Sequence, residues 1–246
     1  MLRGLKRRLS GPSRTRVSSD FSARQPELAK VIEQVMARRL TYLPAPALQD
    51  LADVVLDADR AGIDGALVEA GTALGGSAIV LARAKNAARP LMLYDVFGTI
   101  PEPSENDDSD VQQRYRKIVS GQATGIGGDL YYGYHDDLVH EVEGNIRSFG
   151  LDLERDSIKL VKGKYQDTMP VSVPVAIAHI DCDWYDSVMT CLLGVGPHMV
   201  AGGRMVIDDY DAWSGARRAV DDFLGTELGS RYRREPRTRL HLVATS

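Results

Sequence analysis

Carboxylates recur in this chain at one kind of place, the end of a short apolar run. Glu69 follows Ala66-Leu67-Val68, and Asp95 follows Leu91-Met92-Leu93-Tyr94. Asp181 closes the run from Val175 to Ile180, and the pair Asp208-Asp209 closes Met205-Val206-Ile207. If the last two runs are adjacent strands, their ends lie about 4.8 Å apart and three acids converge. Such carboxylates repel one another unless a cation or protons compensate. Oxygen-only ligands with open positions suit Mg²⁺ or another hard divalent ion. Asp181, Asp208 and Asp209 are therefore the candidate metal ligands. Asp183 lies two residues beyond Asp181, on the loop capping that site. It suits a general base beside the metal, within hydrogen-bond reach of a hydroxyl. His179, inside the run, reads as a core histidine.

A second site forms around Glu69-Ala70-Gly71-Thr72-Ala73-Leu74-Gly75-Gly76-Ser77, which reads as strand, tight turn and helix. The glycines let the backbone turn sharply and approach a ligand. The spacing is not the G-x-G-x-x-G fingerprint of a dinucleotide cradle, which disfavours a nicotinamide-dependent oxidoreductase. A ligand without phosphate, presenting an ammonium and a carboxylate, would use the strand-end acid and the turn's N–H groups. Asp95, ending the next strand, is placed to accept both hydroxyls of a ribose.

These residues need a scaffold that brings strand ends together. The hydrophobic pattern predicts helices over residues 25–40 and 46–61, then strands over 66–70, 91–95, 158–163, 175–181, 203–209 and 239–245. Helices are predicted over 77–85, 111–120, 186–195 and 213–228. Strands alternating with helices imply an α/β fold, a mostly parallel sheet with helices on both faces. Ligands of such sheets sit outside the carboxyl ends of the strands, where these acids lie. The stretch from 97 to 150 interrupts the alternation. It holds the acids Glu102, Glu105, Asp107, Asp108 and Asp110, then Tyr131-Tyr132-Gly133-Tyr134-His135 among glycines. This insertion, around 98–140, reads as a mobile lid. Residues 1–24 carry seven basic residues against one acid, Asp20, and read as a basic flexible arm. Residues 25–246 read as one domain.

The chain has 246 residues, a net charge of −4 and 26% charged residues. That acidity argues against a nucleic-acid partner. No apolar run approaches the ~18 residues of a membrane span, and no apolar stretch follows the basic start as a signal peptide requires. Two cysteines, Cys182 and Cys191, form no disulfide framework. A reducing, cytoplasmic setting is the expectation.

Taken together, these motifs resemble the macrocin O-methyltransferase family, metal-dependent enzymes that methylate sugars on natural products. The resemblance is carried by Val68-Glu69-Ala70-Gly71 with Gly75-Gly76-Ser77, Tyr94-Asp95-Val96-Phe97-Gly98, and Lys162-Gly163 with Asp167-Thr168-Met169-Pro170. Asp181-x-Asp183-x-Tyr185-Asp186-Ser187, Asp208-Asp209-Tyr210 and Arg218-Ala219-Val220-Asp221-Asp222-Phe223 complete it. It implies a Rossmann-like class I methyltransferase fold with extra N-terminal helices. It implies S-adenosylmethionine along Glu69, Gly71, Ser77, Asp95 and Asp181, and Mg²⁺ on Asp181, Asp208 and Asp209. The family's base falls on Asp183. Similarity to catechol O-methyltransferases adds Gln166 near the adenine. The implied acceptor is a small glycosylated natural product, and the implied state a homo-oligomer. The other reading is a cofactor-binding scaffold without catalysis.

Overall fold

The protein is described here by a computed structural model covering residues 16–245. Its apolar runs form five parallel strands: β1 (Ala66–Ala70), β2 (Leu91–Asp95), β3 (Ile158–Lys162), β4 (Val175–Ile180) and β5 (Met199–Ile207). At one edge, β6 (Tyr232–Pro236) and β7 (Leu240–Ala244) pair antiparallel, and β7 runs antiparallel to β5. The strand order is β3-β2-β1-β4-β5-β7-β6.

Side chains alternate across the pleat and build two cores. Leu67, Leu91, Leu93 and Val206 pack with α2 (Pro26–Ala37), α3 (Ala45–Arg60), α4 (Gly76–Ala84) and α6 (Leu138–Ser148). Val68, Tyr94, Ala178, Ile180, Met205 and Ile207 pack on the opposite face with α8 (Tyr185–Val195) and α9 (Ser214–Leu224). Burying both faces is why these strands read as continuous apolar runs rather than alternating ones. The mostly parallel sheet with helices on both faces is as the pattern predicted.

Three elements differ from that expectation. The basic arm was read as running to residue 24, but Ser19–Arg24 forms a helix, α1. Ser18 accepts the Phe21 N–H as its cap, and Phe21 is 1% exposed, so one aromatic docks the segment on the body. The rest of that arm, residues 1–15, lies outside the described residues. Within the predicted lid, α5 (Ser109–Val119) appears as expected, but α6 begins at Leu138. Its apolar residues Leu138, Val142 and Ile146 recur every four positions, and Asp137 caps it. The strand β6, Tyr-Arg-Arg-Glu-Pro, is a charged edge strand whose only anchor signal is Tyr232, which donates to the Gly196 carbonyl at 2.6 Å.

Register places the chemistry. Ala70 pairs with Tyr94 on β2 and with Ile180 on β4, and Ile180 pairs with Ile207 on β5. The acids following these residues therefore emerge at one rim. Gly71 is needed there. It has φ +94°, and a Cβ on it would lie 1.7 Å from the Asp181 carbonyl oxygen. Any side chain would pry β1 from β4 at the point where the two sites meet.

Candidate active site

Asp181 leaves β4 with its N–H on the Ala70 carbonyl at 2.8 Å, and Asp208 leaves β5 with its N–H on the Ile180 carbonyl at 3.0 Å. These bonds extend the sheet by one residue and fix both acids. One carboxylate oxygen from each of Asp181, Asp208 and Asp209 lies within 4.8 Å of the others. Burial, and then the neighbouring acids, pushes the Asp181 and Asp209 carboxyls well above the ordinary carboxylate range. Arg239, on the turn before β7, pairs with Asp208 Oδ1 at 2.6 Å and neutralises one charge. Two further carboxylates still share a small volume, which is the donor set a hard divalent cation matches. The three residues predicted as metal ligands are thus together, and they fit such an ion.

The raised carboxyls carry a pH consequence. A buried acid with a raised pKa stabilises the folded state below its unfolded pKa and loses that contribution as pH rises through the folded value. A cation must displace those protons, so its binding strengthens over the same range. The rise in melting temperature caused by Mg²⁺ is therefore expected to be larger at about pH 8 than at about pH 5.5. Differential scanning fluorimetry at the two pH values checks this, and equal increments would count against the shared acid cluster as the binding site.

Asp183 sits in the left-handed region at φ +61°, a conformation aspartate tolerates better than most residues. Its N–H donates to Asp209 Oδ2 at 3.1 Å, so the candidate base is tied to a candidate ligand. Burial pushes its carboxyl up to about 6, against the pull of a hydrogen bond from the Trp213 indole and the nearby Arg114 guanidinium.

At the other end of the rim, Glu69 is fully buried and accepts a hydrogen bond from His179 Nδ1 at 3.0 Å. His179 is thus a core histidine serving the site. Glu69 Oε2 and Thr72 Oγ1 are buried with no partner. An unpartnered carboxylate oxygen beside the turn fits a ligand's ammonium. Asp95 is more committed than the sequence suggested. Oδ2 accepts Thr72 N–H at 2.8 Å and Ala73 N–H at 3.0 Å, and Oδ1 accepts Phe97 N–H at 2.7 Å. A carboxylate offers about four acceptor positions, so in this arrangement Asp95 has room for one further donor rather than two. The same bonds use the turn's N–H groups that the sequence reading offered to a carboxylate. Gly76 N–H is also taken, by the Leu40 carbonyl at 3.0 Å. Ser77 is buried in the first turn of α4. Gln166 is exposed on α7 (Tyr165–Thr168) and lines neither cavity at the rim; its neighbour Tyr165 lines the smaller one.

The metal acids, Asp183, Asp95 and Gly71 open into a cavity of about 220 Å³. Its outer wall is aromatic, with Tyr42, Tyr131, Tyr132 and Trp213, and it carries one cation, Arg114, whose guanidinium lies 5.4 Å from the Tyr131 ring centre. Tyr131 and Tyr132 pack at a 46° tilt with ring centres 4.5 Å apart, and burial raises both hydroxyls above their usual range, so they serve as donors rather than bases. His135 lines neither cavity at the rim, and its Nδ1 pairs with Glu141. Arg114, Arg239, Trp213 and Tyr42 were not foreseen. Tyr42, Arg114 and Arg239 come from elements remote in sequence, Trp213 follows Asp209 by four residues, and none sits in a recurring pattern.

The macrocin-O-methyltransferase family model matches residues 36–228. The chain is 28% identical over 174 residues to the 8-demethyl-8-(2,3-dimethoxy-α-L-rhamnosyl)-tetracenomycin-C 4′-O-methyltransferase of Streptomyces olivaceus, covering 67% of this chain and 59% of that protein. It is 25% identical over 195 residues to the demethyldecarbamoylnovobiocin O-methyltransferase of Streptomyces niveus, covering 74% and 67%. The chain therefore spans less than two thirds of the first relative's length. Among solved structures, the O-methyltransferase NovP superposes with a TM-score of 0.68 at 23% identity, covering 84% of this chain and 83% of that one. That likeness shows the fold, a Rossmann-like class I methyltransferase sheet.

Proposed function

Because the chain belongs to the macrocin O-methyltransferase family, we propose that it methylates a sugar hydroxyl of a glycosylated natural product, using S-adenosylmethionine and Mg²⁺. The observation that carries this reading is the meeting of Asp181, Asp183, Asp208 and Asp209 with Gly71 and Asp95 on one cavity wall. The named acceptors of its relatives, a rhamnosylated tetracenomycin and a novobiocin precursor, support the acceptor class.

When bound, S-adenosylmethionine supplies the methyl group and a divalent ion lowers the pKa of an acceptor hydroxyl. Asp181, Asp208 and Asp209 would hold the ion. Glu69, with its unpartnered oxygen, and Asp181 would take the cofactor's ammonium. Asp95 would take a ribose hydroxyl through its remaining acceptor position while tying down the turn; Ser77 and Gln166 are kept as further cofactor contacts. Asp183 receives the hydroxyl proton, held in place by the Trp213 indole. The tyrosine wall gives a sugar ring flat, donor-bearing surfaces and excludes water.

The test is a screen of deoxysugar glycosides with labelled S-adenosylmethionine and Mg²⁺. Label in a product ether supports the reading; no transfer to any of them, together with no binding of adenosylhomocysteine, would overturn it. Asp95→Ala is expected to weaken adenosylhomocysteine binding about ten- to hundredfold, the worth of one hydrogen bond to a charged group. It should also lower the melting temperature, because three backbone N–H groups lose their acceptor. Calorimetry showing parental affinity would remove Asp95 from the cofactor site.

We place the protein in the cytoplasm, as a homo-oligomer acting on a small molecule rather than a nucleic acid. Its acidic charge supports a small-molecule rather than a nucleic-acid acceptor, and its free, buried Cys182 and Cys191 support a reducing compartment. No helix among the described residues is long and apolar enough to cross a membrane.

A further inference from the structure

We propose that the insertion after β2 is a clamp on the two loops that carry the acid cluster, with Asp107 and Asp110 as its positioning residues. Its consequence for catalysis rests on the metal-dependent reading above.

The loop after β4, carrying Asp181 and Asp183, runs directly into α8. The loop after β5, carrying Asp208 and Asp209, runs into α9. Both helices start at a tryptophan, Trp184 and Trp213, and neither has a side-chain cap of its own. The first turn of a helix leaves N–H groups without intrahelical partners. The insertion supplies the missing acceptors. Asp107 Oδ1 takes the Tyr185 N–H at 2.8 Å, across 78 residues of sequence. Asp110 takes the Ser214 N–H at 3.0 Å and the Ser214 hydroxyl at 2.5 Å, across 104 residues.

Asp107 is built for the task. It is 6% exposed, and Ser104 N–H donates to its other oxygen at 3.1 Å. It also lies against α9: a Cβ on Gly215 would come within 1.9 Å of Asp107 Oδ1. One carboxylate thus touches the starts of both helices, and only a glycine at 215 leaves it room. A third contact joins them. The Trp184 indole donates to the Pro101 carbonyl at 3.1 Å and packs edge-on against Trp213 at 5.7 Å. Trp213 in turn holds Asp183. Each end of the acid cluster is therefore fixed from the insertion, while the tyrosine tip of the same insertion covers the cavity. Docking of the insertion and completion of the acid cluster are one event.

The test compares Asp107→Ala, Asp110→Ala and the conservative Asp107→Asn with the parent. Amide hydrogen exchange is read on residues 182–184 and 209–213 without metal, and Mn²⁺ affinity by electron paramagnetic resonance. The alanine variants are expected to exchange about tenfold faster in the loop whose helix lost its acceptor, and to bind Mn²⁺ about tenfold more weakly. Exchange in β1 and β2 and affinity for adenosylhomocysteine should stay near parental, which a general loss of structure would not allow. Asp107→Asn should fall between alanine and parent, because its amide oxygen can still accept the Tyr185 N–H while its NH2 group loses the Ser104 N–H bond. Unchanged exchange in both loops of folded alanine variants would overturn the clamp. If Asp110→Ala does not fold, Ser214→Ala, which removes only the hydroxyl bond, carries the same measurement with a smaller expected effect. A parent that binds no Mn²⁺ would instead refute the metal reading, and the exchange result alone would then decide the clamp.

Discussion

Dialysis against EDTA is expected to abolish methyl transfer, and Mg²⁺ to restore it. The expectation comes from the charge arrangement at the rim. Asp181, Asp208 and Asp209 approach within 4.8 Å, and among the described residues only Asp208 has a cationic ion-pair partner, Arg239. Without an ion, the cluster relieves its repulsion by taking up protons, which is the direction of the shifts at Asp181 and Asp209. A protonated cluster neither orients nor acidifies an acceptor hydroxyl, whose own pKa lies far above neutral pH. Asp209→Asn separates the ion from the scaffold. The amide oxygen still accepts the Asp183 N–H, now at 3.1 Å on Asp209 Oδ2, while the ligand charge is gone. This variant should lose Mg²⁺-dependent acceptor binding and keep adenosylhomocysteine affinity near parental. Full turnover in EDTA would refute the metal assignment.

The strands at the rim were legible because they are buried on both faces. Ala66–Ala70, Leu91–Asp95 and Val175–Ile180 are short apolar runs closed by acids, and acids do not end such runs without a reason. The acid cluster followed from adjacency alone, since Ile180 and Ile207 are register partners. β6 was not legible, because an edge strand keeps its charges outward and Tyr-Arg-Arg-Glu-Pro has no apolar run to read. α6 was legible and was missed. Its four-residue spacing lay mostly beyond the lid predicted around 98–140, in the rest of the interruption up to 150, to which no helix was assigned.

The obligations of individual side chains were harder to see. Asp95 looked free for a ribose because its three N–H donors depend on how the β1–α4 turn folds back. The acids of residues 102–110 were read only as part of a mobile lid, whereas Asp107 and Asp110 serve helices 78 and 104 residues away. One signal was present. Two helices beginning Trp-Tyr-Asp and Trp-Ser-Gly place tryptophan at the cap, so part of their capping had to come from elsewhere in the chain.

The same observation sharpens the second large prediction. Asp183→Asn is expected to lower turnover about 10²–10⁴-fold, the usual cost of losing a general base. Asparagine keeps what holds the residue in place: it tolerates the left-handed backbone and can still accept the Trp213 indole N–H. It removes only the basicity. Without an ion, burial holds the Asp183 carboxyl up at about 6. A cation on the neighbouring acids lowers it again, so Asp183 is ionised at neutral pH and takes the proton because the ion also acidifies the hydroxyl. The competing explanation of any loss would be structural, with Asp183 capping α8. That role is already taken, since the Tyr185 N–H goes to Asp107 and α8 has no side-chain cap at its own start. The melting temperature of Asp183→Asn should therefore stay close to parental, as should its adenosylhomocysteine affinity, while the single-turnover rate falls. The fallback bases do not compete, because His135 lines neither cavity at the rim and burial keeps the Tyr131 and Tyr132 hydroxyls protonated. A near-parental rate in a folded Asp183→Asn protein would mean that the ion alone acidifies the hydroxyl and that solvent carries the proton away.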